Sequence, residues 1–177
     1  MDKRKNVLAI IGSTRANSSN LNLVKTFARQ SEHQFDVHIF ESISSLPHFN
    51  PDLDTESPPQ EVVAFRKLIE QADALLICTP EYVFSLPGSL KNALEWCVST
   101  TLLSQKPTGL ITASTSGLKA HEELQLVMST VEARFTEATT LLIPGIKGKF
   151  DANGNLVDEP TIKQLKAFEL AFGALLD

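Results

Sequence analysis

The segment Gly12-Ser13-Thr14-Arg15-Ala16-Asn17-Ser18-Ser19-Asn20 gathers hydroxyls, side-chain amides and one guanidinium into a short stretch. It follows the apolar run Val7 to Ile11 and precedes Leu21, Val24, Phe27 and Ala28, which recur at helical spacing. A loop that leaves a strand and opens a helix faces free backbone N–H groups and the positive end of the helix dipole, both of which favour an anion. The loop is neither GxGxxG nor a P-loop, since it has one glycine and no Gly-Lys-Ser/Thr ending. Hydroxyl and amide side chains suit enclosing a terminal monophosphate from several sides, with Arg15 adding charge-assisted hydrogen bonds. The same composition also makes a turn that only caps a helix, so these residues alone leave both readings open.

A second segment, Thr79-Pro80-Glu81-Tyr82-Val83-Phe84-Ser85-Leu86-Pro87-Gly88, puts two prolines around an aromatic-rich loop directly after another apolar run. Such a loop is stiff, and it can present backbone N–H and C=O groups to the edge of a flat heteroaromatic ring. Tyr82 and Phe84 would flank that ring or pack as surface aromatics. Cys78 and Cys97 form no CxxC and have no histidine at metal-ligand spacing, so they read as buried thiols of a reducing compartment. Of the four histidines, His33 and His38 fall near a strand away from the site, while His48 and His121 lie nearer it. No histidine pair, carboxylate cluster or cysteine set suggests a metal, and Ser85 and Ser116 lack a GxSxG elbow. No catalytic side chain is singled out.

These segments need elements to hold them. Val7 to Ile11, Phe35 to Phe40, Ala74 to Cys78, Thr108 to Thr112 and Leu141 to Ile143 read as five strands, mostly continuous apolar runs suited to burial on both faces. Between and after them lie helical patterns: one after Asn20, Glu61 to Gln71, Leu86 to Val98 with Pro87 in its first turn, and Glu122 to Phe135 with Leu126 and Val127 inward. After the Asp151 to Asn155 turn, a C-terminal helix carries an inner stripe of Ile162, Leu165, Phe168, Phe172 and Leu175. Ser42 to Pro59 reads as a loop. The alternation predicts one α/β domain over residues 1–177, a doubly wound parallel sheet in the flavodoxin-like order 2-1-3-4-5. Ligands then sit beyond the carboxyl ends of the strands, where Gly12 to Asn20, Thr79 to Pro87 and Ala113 to Ala120 converge.

Composition narrows the partners. With 42% hydrophobic and 21% charged residues the 177-residue chain is globular, and its net charge of −5 argues against nucleic acid. No apolar stretch approaches membrane-spanning length. Lys3, Arg4 and Lys5 before Val7 to Ile11 faintly resemble a signal peptide, but Gly12 and Arg15 interrupt the run, so a cytoplasmic protein is expected.

GSTRxxSxN followed about sixty residues later by TPEYxxSxPGxLKNALEW resembles the NADPH-dependent FMN reductase family, which includes quinone, chromate and azo-dye reductases. The likeness extends to Leu46 to Asp52 and to Asp151 to Leu156. It implies FMN, with NADPH or NADH as donor and a small-molecule electron acceptor: a quinone, flavin, azo compound or metal oxyanion. It also implies a homodimer or homotetramer, formed partly through the helix beginning near Pro87 and the loop before Glu61, whose apolar surface needs cover. By position, Ser13, Arg15, Ser18 and Asn20 match the family's phosphate binders, with Thr14 and Asn17 contributing backbone. Pro80, Glu81, Tyr82 and Val83 match the loop along the isoalloxazine edge, and Ser114, Thr115, Ser116 and Gly117 match a third loop. Val83 stands where the family usually has Asn. Gly117-Leu118-Lys119-Ala120 replaces Gly-x-x-Gly-Gly, and Glu95 replaces an Asp before Trp96. The alternative to a reductase is a flavin-binding electron carrier or redox-responsive module, and more remotely a scaffold with an empty site.

Overall fold

A computed structural model describes residues 4–41 and 43–177. Lys3 and Ser42, which enter the sequence readings above, lie outside them. Among the described residues the strands are β1 (Lys5–Ile11), β2 (Phe35–Phe40), β3 (Ala74–Thr79), β4 (Thr108–Ser114) and β5 (Thr140–Pro144). They form one parallel sheet in the order β2-β1-β3-β4-β5, as the alternation predicts. The register pairs Ile11 with Cys78, Thr79 with Thr112 and Ser114 with Pro144, so the carboxyl ends of four strands finish side by side.

The helices are α1 (Ser19–Gln30), α2 (Gln60–Gln71), α3 (Gly88–Glu95), α4 (Leu118–Thr130) and α5 (Glu159–Leu175). Alternate strand residues sort between two cores. Leu8, Ile10, Leu75, Ile77 and Leu110 face α2, α3 and α4, whereas Val7, Ala9, Leu76, Cys78 and Ile111 face α1 and α5. Both faces are covered, which is why β3 is buried along its whole length and reads as an unbroken apolar run. On the second face Phe27 stacks on Phe35 and Phe168 on Phe172, each pair with centroids 5.9 Å apart.

Three readings need correction. The helix read as Leu86 to Val98 is only Gly88–Glu95, with Pro87 at the cap position. It stops because Arg66 donates from Nε and Nη2 to the Trp96 carbonyl, while Cys97 and Val98 close tighter bonds to Leu94 and Glu95. The helix read as Glu122 to Phe135 runs from Leu118 to Thr130, and its inner face is Ala120, Leu124 and Met128. Val127 packs only partly, and Leu126 is exposed. In α5, Ile162 is half-exposed; Thr161, held by the Asp158 carboxylate, takes the buried place.

The loop before α2 contains two short 3₁₀ turns and is fastened to α3. Asn92 accepts from Phe49 N at 2.7 Å and donates to Pro47 O at 2.9 Å, while Trp96 Nε1 donates to Pro47 O at 2.7 Å. Trp96 is fully buried, with Phe49 edge-on to it at 5.1 Å. Part of the apolar surface of this helix and loop is therefore covered within the chain, while Leu53 and Val98 stay exposed.

Candidate functional site

β1 ends against β3 at a place where only glycine fits. A Cβ on Gly12 would lie 2.4 Å from Thr79 Oγ1 and 3.2 Å from Leu90 Cδ2, so any side chain would drive the two strand ends apart. From there the first loop runs over the sheet edge. Ser13 and Ser18 are buried, Ser18 capping α1 by accepting from Leu21 N at 3.0 Å. The amides of Ser19 and Asn20 precede the first intrahelical bond and stay open at the helix end. Thr14, Arg15, Ala16 and Asn17 are exposed, and the Arg15 side chain has no partner among the described residues.

Asn20 turns inward. Its Nδ2 donates to Ala113 O at 3.1 Å, and its Oδ1 lies 3.2 Å from Cys78 Sγ. Burial pushes the Cys78 thiol far above its ordinary range, so it stays a neutral donor. The side chain expected among the phosphate binders thus bolts the loop to β3 and β4.

In the second loop, Tyr82 and Ser85 exchange N–H···O bonds of 3.0 and 3.1 Å around Val83 and Phe84, which have φ of 52° and 58°. This is the two-residue turn that ordinarily takes Asn-Gly, and a β-branched residue there is a backbone outlier. Val83 is 94% exposed and Phe84 77%, so their side chains do not hold the turn. Two carboxylates do. Glu81 reaches the start of α4, accepting from Lys119 N at 2.9 Å, Ala120 N at 3.0 Å and Gly117 N at 3.2 Å. Glu123 reaches back from α4, accepting from Ser85 Oγ at 2.7 Å and Leu86 N at 3.0 Å. The Ala120 amide, with Gly117, Lys119 and the Lys119 charge, holds the Glu81 carboxyl below its ordinary range against the opposing effect of burial. Glu81, placed beforehand along the flat loop, serves as the cap of α4 and explains why that helix begins four residues early.

The Val83 strain gives a direct expectation. Val83→Asn, which tolerates the left-handed region, will raise stability by about 0.5–1 kcal/mol. An unchanged or lower urea midpoint would show that the turn is not strained.

Ser114 to Gly117 forms the third loop, with Gly117 at φ 88°. Thr115 O accepts from Gly145 N at 3.1 Å, which draws a fourth loop to the same edge. Its 3₁₀ turn, Ile146–Lys149, buries Ile146 and exposes Lys147. Sequence reading missed this loop; a glycine just after the fifth strand, followed by Lys147 and Lys149, is the signal that marks it. The four loops enclose a cleft of about 280 Å³ bordered by Ser13, Arg15, Ser18, Tyr82, Ser114 and Lys147. Pro80, Glu81 and Thr115 also line it, whereas Thr14 and Asn17 face a neighbouring hollow or solvent, and Val83 and Ser116 project away. A larger groove, about 770 Å³ against β2 and α2, is lined by Leu8, Phe40 and Leu68 together with Asn6, His38 and Gln71. His121 is half-buried with Nδ1 3.0 Å from Thr112 Oγ1, and burial lowers its pKa despite Glu122. Among the described residues no helix is long and apolar enough to cross a membrane, and no three His, Cys, Asp or Glu side chains converge as a metal group.

A parallel sheet in the order 2-1-3-4-5, with a hydroxyl-rich loop after its first strand, defines a flavodoxin-like domain. The model of the NADPH-dependent FMN reductase family matches residues 5–147, and the chain belongs to that family of enzymes. It is 33% identical to a 2-hydroxy-1,4-benzoquinone reductase from Burkholderia, over 92% of this chain and 91% of that one. It is 32% identical to an NAD(P)H:quinone oxidoreductase of Solanum tuberosum, over 96% of this chain and 91% of the relative. The solved flavoenzyme NAD(P)H:(acceptor) oxidoreductase FerB of Paracoccus denitrificans superposes with a TM-score of 0.77, at 29% identity and 97% coverage of both chains.

Proposed function

We propose that the chain holds FMN in the four-loop cleft and, with NADPH or NADH as donor, reduces a small acceptor. Quinones lead the acceptors, with flavins, azo compounds and metal oxyanions behind them. The observation that carries this reading is the first loop. Two buried serines, two open helix-end amides and an unpartnered Arg15 meet at one end of a cleft whose other walls are stiff backbone. That donor set fits a phosphate monoester joined to a flat ring. Bound FMN supplies hydride acceptance and onward electron transfer, and the protein supplies binding, orientation and exclusion of water.

The side chains divide those tasks. Ser13, Ser18 and Arg15 hold the phosphate, with the Thr14 and Asn17 backbone beside them. Asn20 and Cys78 keep the loop from relaxing away, so less ordering is left for binding to supply. Pro80 and Tyr82 lie along the ring edge, and Ser114 and Thr115 approach it from the other side. Glu81 positions both loops through α4 and does not itself touch the ring. The chain works in the cytoplasm and associates as a dimer or tetramer, covering the exposed tip at Val83 and Phe84.

An anaerobic titration of the FMN-loaded protein with NADPH and with NADH tests the reading. The flavin absorbance will bleach, and a quinone will restore it over many turnovers. Failure to bind FMN, or bound flavin that neither donor bleaches, would refute it. Arg15→Ala will weaken FMN by ~1.5–3 kcal/mol, the scale of a hydrogen bond to a charged group, and leave riboflavin nearly unchanged. An equal loss for both ligands would mean that Arg15 acts on folding.

A further inference from the structure

We propose that Lys147 is a second cationic ligand of the flavin's terminal phosphate, in the cleft that Arg15 also borders. The inference rests on the FMN reading above. It begins with charge pairing. Lys119 is paired with Glu122, Lys91 with Glu95, Arg66 with Asp54, and Lys149, two residues from Lys147, with Asp158. Arg15 and Lys147 both border the cleft, and neither has a side-chain partner among the described residues. Glu81, the carboxylate on the same cleft wall, is occupied by the amides of Gly117, Lys119 and Ala120. In a chain of net charge −5, two uncompensated cations thus share one small cavity. A phosphate monoester near neutral pH carries close to two negative charges.

The backbone fixes where that ammonium sits. Gly145 N is tied to Thr115 O at 3.1 Å, Ile146 is buried, and Lys149 is held by Asp158 at 2.9 Å, so the residue between them is anchored on both sides. The segment after β5 also lies along the first turn of α1: the nearest atom to a Cβ placed on Gly154 is Asn22 Nδ2, at 3.1 Å. Asn20 bonds Ala113 O, which seats the amino end of α1 above β4, the neighbour of β5. Lys147 therefore stands beside the helix end that opens onto Ser13 and Ser18. A flexible ammonium there reaches a phosphate oxygen as a point charge, while Arg15 supplies a planar fork to the same cleft.

The test compares FMN with riboflavin, which differ by the phosphate, on apoprotein made by removing flavin. Lys147→Gln will raise the dissociation constant for FMN about tenfold, leave riboflavin within about twofold, and make FMN binding less sensitive to salt. Lys147→Arg will keep most of the affinity. Lys67→Gln, the same charge change on the exposed side of α2, will leave both ligands unaffected. An unchanged FMN-to-riboflavin ratio in Lys147→Gln overturns the proposal while the FMN reading stands, provided the wild-type protein binds FMN. If FMN affinity is unchanged but half-saturation by NADPH rises, the lysine serves the nicotinamide nucleotide's phosphate and the proposal is wrong. Wild-type protein that binds neither flavin overturns both.

Discussion

Glu81→Ala will cost on the order of 3 kcal/mol of stability in the flavin-free protein and loosen two walls of the cleft at once. The carboxylate satisfies three amides at the start of α4 and fastens the Pro80–Ser85 loop to that helix. Losing a helix cap alone costs ~0.5–2 kcal/mol, and hydrogen bonds to a charged group are stronger than neutral ones. Glu81→Gln keeps the size but not the charge and will fall between wild type and alanine. Urea unfolding of the apoprotein makes the measurement. A Glu81→Ala protein of wild-type stability that merely binds FMN less well would show that the side chain serves the ligand and not the helix. The same bonds set a pH dependence. Because the folded-state pKa is lowered, the stabilisation is present above the unfolded glutamate's pKa and is lost as pH falls through the lower folded value.

Arg66→Ala will be the more damaging change, at about 3–5 kcal/mol, the range for removing one partner of a buried ion pair. Asp54 Oδ1 lies 2.7 Å from Arg66 Nη2, with the two side chains 6% and 15% exposed. Burial alone would raise the Asp54 carboxyl; Ser99 and Arg66 overcome this and hold it low. Without the guanidinium that charge is stranded, and the Trp96 carbonyl loses its donor. Removing Asp54 as well will recover part of the loss, which a double-mutant cycle reads as coupling. A single-mutant cost below about 1 kcal/mol would place the pair among surface ion pairs that contribute little.

The central strands were legible because they are buried on both faces. Ala74 to Cys78 has no polar residue to blur it, and edge strand β2 alternates as a half-covered strand should. The helix read as Glu61 to Gln71 was placed to within one residue, but the start of α4 and the end of α3 were not legible, for the same reason in both cases. The cap of α4 comes from Glu81, far upstream of Leu118, and α3 ends where Arg66 takes the Trp96 carbonyl. Local propensity cannot register a bond whose partner lies dozens of residues away. The site divides in the same way. Ser13, Arg15 and Ser18, singled out by type and spacing, do border the cleft proposed to hold the phosphate. Asn20 has the right type too, but which way it turns depends on Ala113. Lys147 passed unnoticed because an isolated lysine after a strand resembles any solvated surface lysine until the neighbouring loops are in place.

The bond from Asn20 to Ala113 spans 93 residues of sequence, and that distance governs when the anion loop can exist during synthesis. Gly12 to Asn20 leaves the ribosome before β3 and β4, so its inward brace waits for those strands. Until those strands pair, the loop is an open chain with a capped helix behind it, and closing so long a segment has an entropic cost that sheet formation must first offset. A polypeptide that stops before Ser114 therefore carries every side chain of the first loop without the brace that seats it on the sheet.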